Sequence, residues 1–274
     1  MRLMIFHETV YRYATPAVSV IQQLRLTPRS HEGQFVRKWR VEIDADCRME
    51  RGEDALGNII HTFTADGPIA ELKVTVDGDV ETTDTHGVVR GVLDRFPLPF
   101  WQRETALTHA GAEIVEFIHD LAAGEGGDRL ATLHALNAAL FGAMAFCVGT
   151  TDTGTSAREA FASRRGVCQD FAHVFIAACR SIGIPARYVG GYFLRTDTHE
   201  QEAGHAWVEA HVEGIGWIGF DPAHGLSVTD RYVRLACGLD YLDAAPIRGA
   251  RIGGAGETLA VEVHVRPGPA ILEV

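Results

Sequence analysis

The hydrophobic period of the chain changes once along its length, and that change limits the folds open to it. Up to about Val89 the pattern is period two: Phe35, Trp39, Val41 and Ile43 alternate with Val36, Lys38, Arg40 and Glu42, and Leu72, Val74 and Val76 with Lys73, Thr75 and Asp77. Period two marks half-buried strands. Turn signals at Asp54 to Asn58 (DALGN) and at Asp77-Gly78-Asp79 have the spacing of an antiparallel sandwich. Residues 1–90 are therefore expected to form a β-rich N-terminal domain. They carry no cluster of nucleophile, base and acid, which predicts a packing or substrate-docking role. Residues 91–110 include RGVLDRFPLPFW, with two prolines and no periodicity, and read as a linker.

Beyond the linker the period becomes helical. Ile114, Val115, Ile118 and Leu121 predict a helix over 112–123, and Leu130, Leu133, Leu136 and Leu140 another over 130–146. Ser156 and Glu159 form a capping box for a short third helix. Leu259, Val261, Val263 and Val265 alternate again, so the chain is expected to close with a strand that completes one of the sheets. The fold class predicted is α+β: a β-sandwich, then a core of helices packed on an antiparallel sheet over residues 111–274.

Composition narrows the partners. With 274 residues and 46% hydrophobic content, the chain can bury a sizeable core. A net charge of −11 without any Lys/Arg cluster argues against nucleic acid, which requires a basic face. The five cysteines include no C-x-x-C pair and are odd in number, so neither a disulfide framework nor a zinc ribbon is expected. His7, Glu8 and Arg12 interrupt the early apolar patch, and no stretch reaches the ~18 apolar residues of a membrane span. A cytoplasmic protein without membrane partner, metal or organic cofactor is the expectation.

The chemistry concentrates in two stretches. In GVCQDFAHVFIAACRSIGIPARYVGGYF, Phe171, Val174, Phe175, Cys179 and Ile182 recur at three- and four-residue intervals before Gly183 and Pro185, predicting a buried helix over 168–182. Cys168 sits in its first turn, where the macrodipole and unpaired N–H groups favour a thiolate. In GHAWVEAHVEGIGWIGFDPAHG, two strands flank a turn centred near residue 213, which sets His205 opposite or nearly opposite Asp221. A one-residue slip would turn one of these side chains to the other face.

A cysteine at a helix start is more often a small core residue than a nucleophile, and a strand histidine is more often merely hydrogen-bonded. The joint pattern of nucleophile, base and orienting carboxylate is what points to catalysis. Cys179 falls on the apolar face of the helix. His173 points to a different face from Cys168, and Cys147 merely follows a helix end. His205 and His211 are too far apart along one strand to share an ion; His224 could approach Asp221 from the next turn, but without a third ligand it reads rather as a solvated loop histidine.

The motifs GVCQDFAH, HAWVEAHV and GWIGFDP, in this order, resemble the bacterial transglutaminase-like proteins. FHETVYRYATPAVSVIQQLRLTPR and DALGNIIHTF resemble the β-rich N-terminal domain commonly joined to that core, and GLDYLDAAPIRGARIGGAGETLAVEVHV its usual C-terminal segment. The resemblance implies a papain-like fold with Cys168 as nucleophile, His205 as general base and acid, and Asp221 holding the imidazole. It implies attack on an amide carbonyl of a peptide or protein substrate through a thioester, resolved by water or by an amine. Hydrolysis is favoured over protein-glutamine transamidation, and a non-catalytic binding module of the same fold is the alternative from another class. The Cys168 N–H is one oxyanion donor and Gln169 a candidate for the second. Family members often have Thr and Asn where this chain has Ala223 and His224.

Overall fold

The period-two region pairs into one antiparallel sheet in the computed structural model, which describes residues 1–196, 200–201 and 203–269. Its strands are β1 (Arg2–Thr27), β2 (Gln34–Ile43), β3 (Cys47–Glu53) and β4 (Ile59–Thr82). β1 and β4 pair along almost their whole length, with register breaks between Arg12 and Ala17. Leu72, Val74 and Val76 are buried, as their alternation requires. DALGN turns the chain between β3 and β4, the Asp54 carboxylate accepting from the N–H groups of Leu56 (3.0 Å) and Asn58 (2.9 Å).

The second turn signal does not make a turn. Asp77, Gly78 and Asp79 lie inside β4, where Gly78 pairs with both Ile5 and Trp39. A Cβ on Gly78 would stand 2.2 Å from the Trp39 ring, so the glycine serves a close aromatic approach rather than a reversal. Asp79 is held in the strand by a two-pronged bond from Arg2 (2.9 and 2.7 Å).

Helices α1 (Ala112–Gly124), α2 (Arg129–Ala143), α3 (Ala157–Ser163) and α4 (Cys168–Ser181) follow the predicted segments closely. The second stops short of residue 146, because Ala145 and Phe146 pair in parallel with Arg165 and Gly166. The capping box closes as expected, with the Ser156 N–H donating to Glu159 Oε2 at 2.9 Å. Helix α4 lies against a second antiparallel sheet of β5 (Ala186–Phe193), β6 (His205–Val212), β7 (Gly216–Asp221) and β8 (Tyr232–Gly238), ordered β7-β6-β5-β8. Ala206, Val208 and Ala210 share one main cluster with the buried face of α4. Trp207 faces the other way, into a cluster with Trp217 and Trp101.

Residues 91–110 cover that second face. Trp101 is 1% exposed, and Arg180 near the end of α4 donates to Trp101 O (3.0 Å), Thr108 Oγ1 (2.7 Å), Ala186 O and Leu239 O (both 2.8 Å). The segment read as a linker is thus a strap fastened by one buried guanidinium.

The chain's end returns to the first sheet. β9 (Ile247–Gly253) pairs with the second half of β1, and β10 (Glu257–Pro267) with its first half. The closing strand therefore completes the N-terminal sheet, although residues 111–274 stand together in the sequence division. Its register sets Val263, Val261 and Leu259 beside His7, Thr9 and Tyr11. Among the described residues, no helix is long and apolar enough to cross a membrane.

Candidate active site

Cys168 occupies the first position of α4 because the chain before it is locked. The Asp170 carboxylate accepts from the Val167 N–H (2.7 Å) and the Thr151 hydroxyl (2.7 Å), capping the helix from inside its first turn. A Cβ on Gly166 would stand 2.6 Å from that carboxylate, so only glycine fits there. The N–H groups of Asp170 and Phe171 return to Val167 O. Those of Cys168 and Gln169 have no partner among the described residues, leaving two donors at the positive end of the helix beside the thiol.

His205 and Asp221 come from the β6–β7 hairpin, through a different register from the expected one. Val208 pairs with Phe220 and Val212 with Gly216, leaving a three-residue turn and placing Asp221 level with Trp207 rather than with His205. The offset is two residues, so both side chains keep the same face, and the diagonal pair still meets. His205 Nε2 donates to Asp221 Oδ2 at 2.7 Å. With Nε2 so engaged, Nδ1 is the nitrogen left for the Cys168 thiol, which lines the same cavity as His205.

Burial opposes charge on His205, but the Asp221 carboxylate on one side and the Cys168 sulfur on the other outweigh it and hold the pKa up at about 10. Burial would likewise raise Asp221, yet His205 and then His224 keep its carboxyl well below the usual carboxylate range. Cys168, His205 and Asp221 thus come together beside the cavity, the His205 ring bonded to the Asp221 carboxylate.

Two further side chains reach this carboxylate, one of them the histidine that the sequence allowed but did not favour there. The Tyr232 hydroxyl donates to Asp221 Oδ2 at 2.8 Å, and His224 Nδ1 donates to the same oxygen at 2.9 Å, while the Ala223 N–H donates to Oδ1 at 3.1 Å. His224 is therefore not a solvated loop residue; its side chain is 29% exposed and bonded. Its three-residue spacing from Asp221 was a usable signal. Tyr232 had none, since β8 reaches the site only through its pairing with β5.

Gln169 lines the cavity beside Cys168; its side-chain amide donates to Thr153 O at 3.4 Å, and its backbone N–H has no partner among the described residues. The remaining residues lie elsewhere. His173 is buried in α4, accepts from the Tyr241 N–H at 3.1 Å, and is pushed down to about 3 by burial. Burial pushes the Cys179 thiol up.

His205, Asp221 and His224 bring three possible ligand atoms within 4.8 Å of one another. Both histidine nitrogens meet the same carboxylate oxygen at 2.7 and 2.9 Å, the geometry of two N–H donors on one acceptor. A cation there would have to replace both protons and separate the imidazole from the carboxylate.

A helix-borne cysteine facing a histidine and an aspartate on neighbouring strands defines the site as a cysteine–histidine–aspartate constellation on an α+β core. The Transglutaminase-like superfamily profile matches residues 117–222, and that of the Bacterial transglutaminase-like N-terminal region matches residues 3–81. The chain belongs to the transglutaminase-like superfamily. It is 32% identical over 286 residues to the uncharacterized protein ML0607 of Mycobacterium leprae, spanning 96% of this chain and 98% of that one. The uncharacterized protein Rv2569c of Mycobacterium tuberculosis is 29% identical over 276 residues, 90% of this chain and 87% of its own. Among solved structures, a protein of Cytophaga hutchinsonii described as a putative cysteine protease superimposes with a TM-score of 0.78 over 100% of this chain and 92% of that one, at 21% identity.

Proposed function

We propose that the protein is a thiol-dependent amide hydrolase, with Cys168 as nucleophile, His205 as acid and base, and Asp221 as the residue that orients and charges the imidazole. The observation that carries this reading is the His205 Nε2–Asp221 Oδ2 bond at 2.7 Å, on a histidine that lines the same cavity as the Cys168 thiol at the start of its helix. In the resting pair the Cys168 proton stands on His205 Nδ1; in the first half-reaction the thiolate attacks the carbonyl carbon, and the Cys168 and Gln169 N–H groups receive the developing oxyanion. The C–N bond then breaks, and the amine departs with the proton from His205 Nδ1. In the second, His205 takes a proton from water, whose oxygen attacks the thioester. The S–C bond breaks, the carboxylic acid leaves, and the thiolate–imidazolium pair is restored. Transfer to an amine would follow the same course with the amine in place of water.

The test is the pH dependence of iodoacetamide alkylation at each of the five cysteines, mapped by peptide mass, in the wild type and in His205→Ala. Rapid labelling of Cys168 alone near pH 6, lost in the variant, is the expected result. Labelling of Cys168 no faster than Cys147, and indifferent to His205, would overturn the nucleophile assignment and favour a binding module.

A further inference from the structure

We infer that the N-terminal sheet builds the substrate pocket of this site, and that the pocket takes a bulky, uncharged apolar side chain on the acyl side of the scissile amide. The inference rests on the thiol hydrolase reading for what reacts, but on separate observations for what binds. A cavity of about 300 Å³ opens beside Cys168 and His205, and it lies between the two sheets. That volume is at the lower end of ligand pockets, ~300–1,000 Å³, and suits a side chain rather than a folded segment.

One wall is the face of the N-terminal sheet on which His7, Thr9 and Tyr11 alternate along β1, with Val261 and Leu259 of β10 level with them. The opposite wall is β5, where Tyr188, Gly190 and Tyr192 alternate. The two walls are joined by a hydrogen bond between His7 Nδ1 and the Tyr192 hydroxyl at 2.8 Å, and His7 Nε2 meets Thr9 Oγ1 at 2.9 Å. Burial pulls His7 down to about 4, so it is neutral at pH 7 with both nitrogens engaged. Arg25, the arginine of the lining, is neutralised through Nε by Asp54 at 3.0 Å, while its Nη1 is buried without a partner among the described residues. The walls therefore offer mainly aromatic and aliphatic surface, and an ionised side chain entering would exchange its full hydration for at most the one Nη1 donor of a guanidinium already neutralised by Asp54.

Gly190 makes the space. Neither neighbour on its face is small, and a Cβ there would meet nothing closer than Ala244 O at 3.5 Å, ordinary contact. The acyl group stays attached to Cys168 through both half-reactions, whereas the amine leaves after the first. A pocket next to the sulfur can thus hold the acyl residue in both transition states.

The experiment measures second-order alkylation of Cys168 by peptidyl chloromethyl ketones bearing Gly, Asp, Lys, Leu or Phe next to the ketone. Each reaction forms one S–C bond with loss of chloride, so no turnover is needed. Leu and Phe probes should react at least about tenfold faster than Gly, Asp or Lys probes, the scale on which a hydrophobic pocket discriminates. Gly190→Val should bring the Phe-to-Gly ratio close to one. Leu259→Glu, at a position 56% exposed and so tolerant of change, should lower it as well. Equal or faster reaction of the Gly or Asp probe in the wild type, or a Phe-to-Gly ratio unmoved by both variants, would overturn the inference. Failure of the hydrolase reading appears separately, as indifference of iodoacetamide labelling to His205→Ala, and leaves the probe ratios readable.

Discussion

Strand β6 carries two buried ionic clusters on one face, and they have opposite characters. His205 and Glu209 lie four residues apart, about 13 Å at ~3.3 Å per residue. Glu209 is 1% exposed and lies beside its cross-strand neighbour Arg187, whose Nε donates to Oε2 at 2.6 Å, while Arg234 Nε donates to Oε1 at 2.8 Å. The Arg187 guanidinium also lies 4.0 Å from the Trp217 ring centre. Burial would raise Glu209, but the two arginines hold it at about 2. Each acidic oxygen has a permanently charged donor, so nothing in this cluster can change state near neutral pH. At the other end of the strand the donor to the carboxylate is an imidazole, its second nitrogen faces a thiol, and the thiol opens on a cavity. Buried charge alone does not mark a reactive site; a group with one unspent bond toward open space does.

The largest effects should separate these roles. Cys168→Ser is expected to lower amide turnover on the order of 10³-fold or more, with denaturant stability close to wild type. Glu209→Ala should do the reverse, costing about 3–5 kcal/mol of stability because Arg234 is left buried without its counter-charge and Arg187 keeps only Asp94, at 3.6 Å. Urea unfolding of both variants beside initial rates checks the pair of outcomes. Wild-type stability in Glu209→Ala would dissolve the contrast.

Asp221→Asn comes next, and its sign follows from the forces on His205. With the carboxylate gone, burial, already the largest single influence, is no longer outweighed, and the His205 pKa should fall from about 10 to below its ordinary 6.5. In the wild type the raised His205 stabilises the fold fully below pH 6.5, and that contribution is lost as pH rises through about 10. The lowered Asp221 stabilises it above its ordinary value near ~3.8, and that contribution is lost as pH falls through its depressed folded value. The wild-type pair therefore contributes most between those limits, whereas the variant should lose stability as pH falls through 6 and protonates a buried imidazole. NMR titration of labelled histidine together with unfolding at pH 5 and pH 8 measures both. A His205 pKa that stays high in the variant would mean that Cys168, not Asp221, charges the ring.

Much of this site is legible in local sequence, and the illegible parts share one cause. The helix that starts at Cys168 declares itself through its apolar spacing, and the hairpin through its turn; even with the register two residues off, parity kept His205 and Asp221 on one face. The chain's return to β1 through β9 and β10, the Tyr232 hydroxyl on Asp221 and the His7 wall of the pocket depend on pairings between residues far apart in the chain. Local patterning carries no register for those. Asp77-Gly78-Asp79 misleads for a related reason: the residues that make a turn are also the ones that let Trp39 lie on a bare backbone, and only the tertiary partner distinguishes the two uses.

The smallest effect is expected at His224, and it bears most closely on how the reactive cluster differs from the fixed one. Asp221 Oδ2 receives three donors, His205, Tyr232 and His224, at 2.7, 2.8 and 2.9 Å. Removing the most exposed of them leaves two on that oxygen and the Ala223 N–H on the other, so His224→Asn should cost about 0.5–1.5 kcal/mol, no more than roughly tenfold in rate. Because His224 helps to lower Asp221, its loss should raise the Asp221 pKa and move the acid limb of the pH–rate profile upward, while the rate at pH 7 changes little. The profile between pH 3 and pH 8 reads this directly. A loss at pH 7 as large as that of Asp221→Asn would make His224, rather than His205, the histidine through which the carboxylate acts. An unmoved acid limb would show that Tyr232, His205 and the Ala223 N–H hold the carboxylate without it.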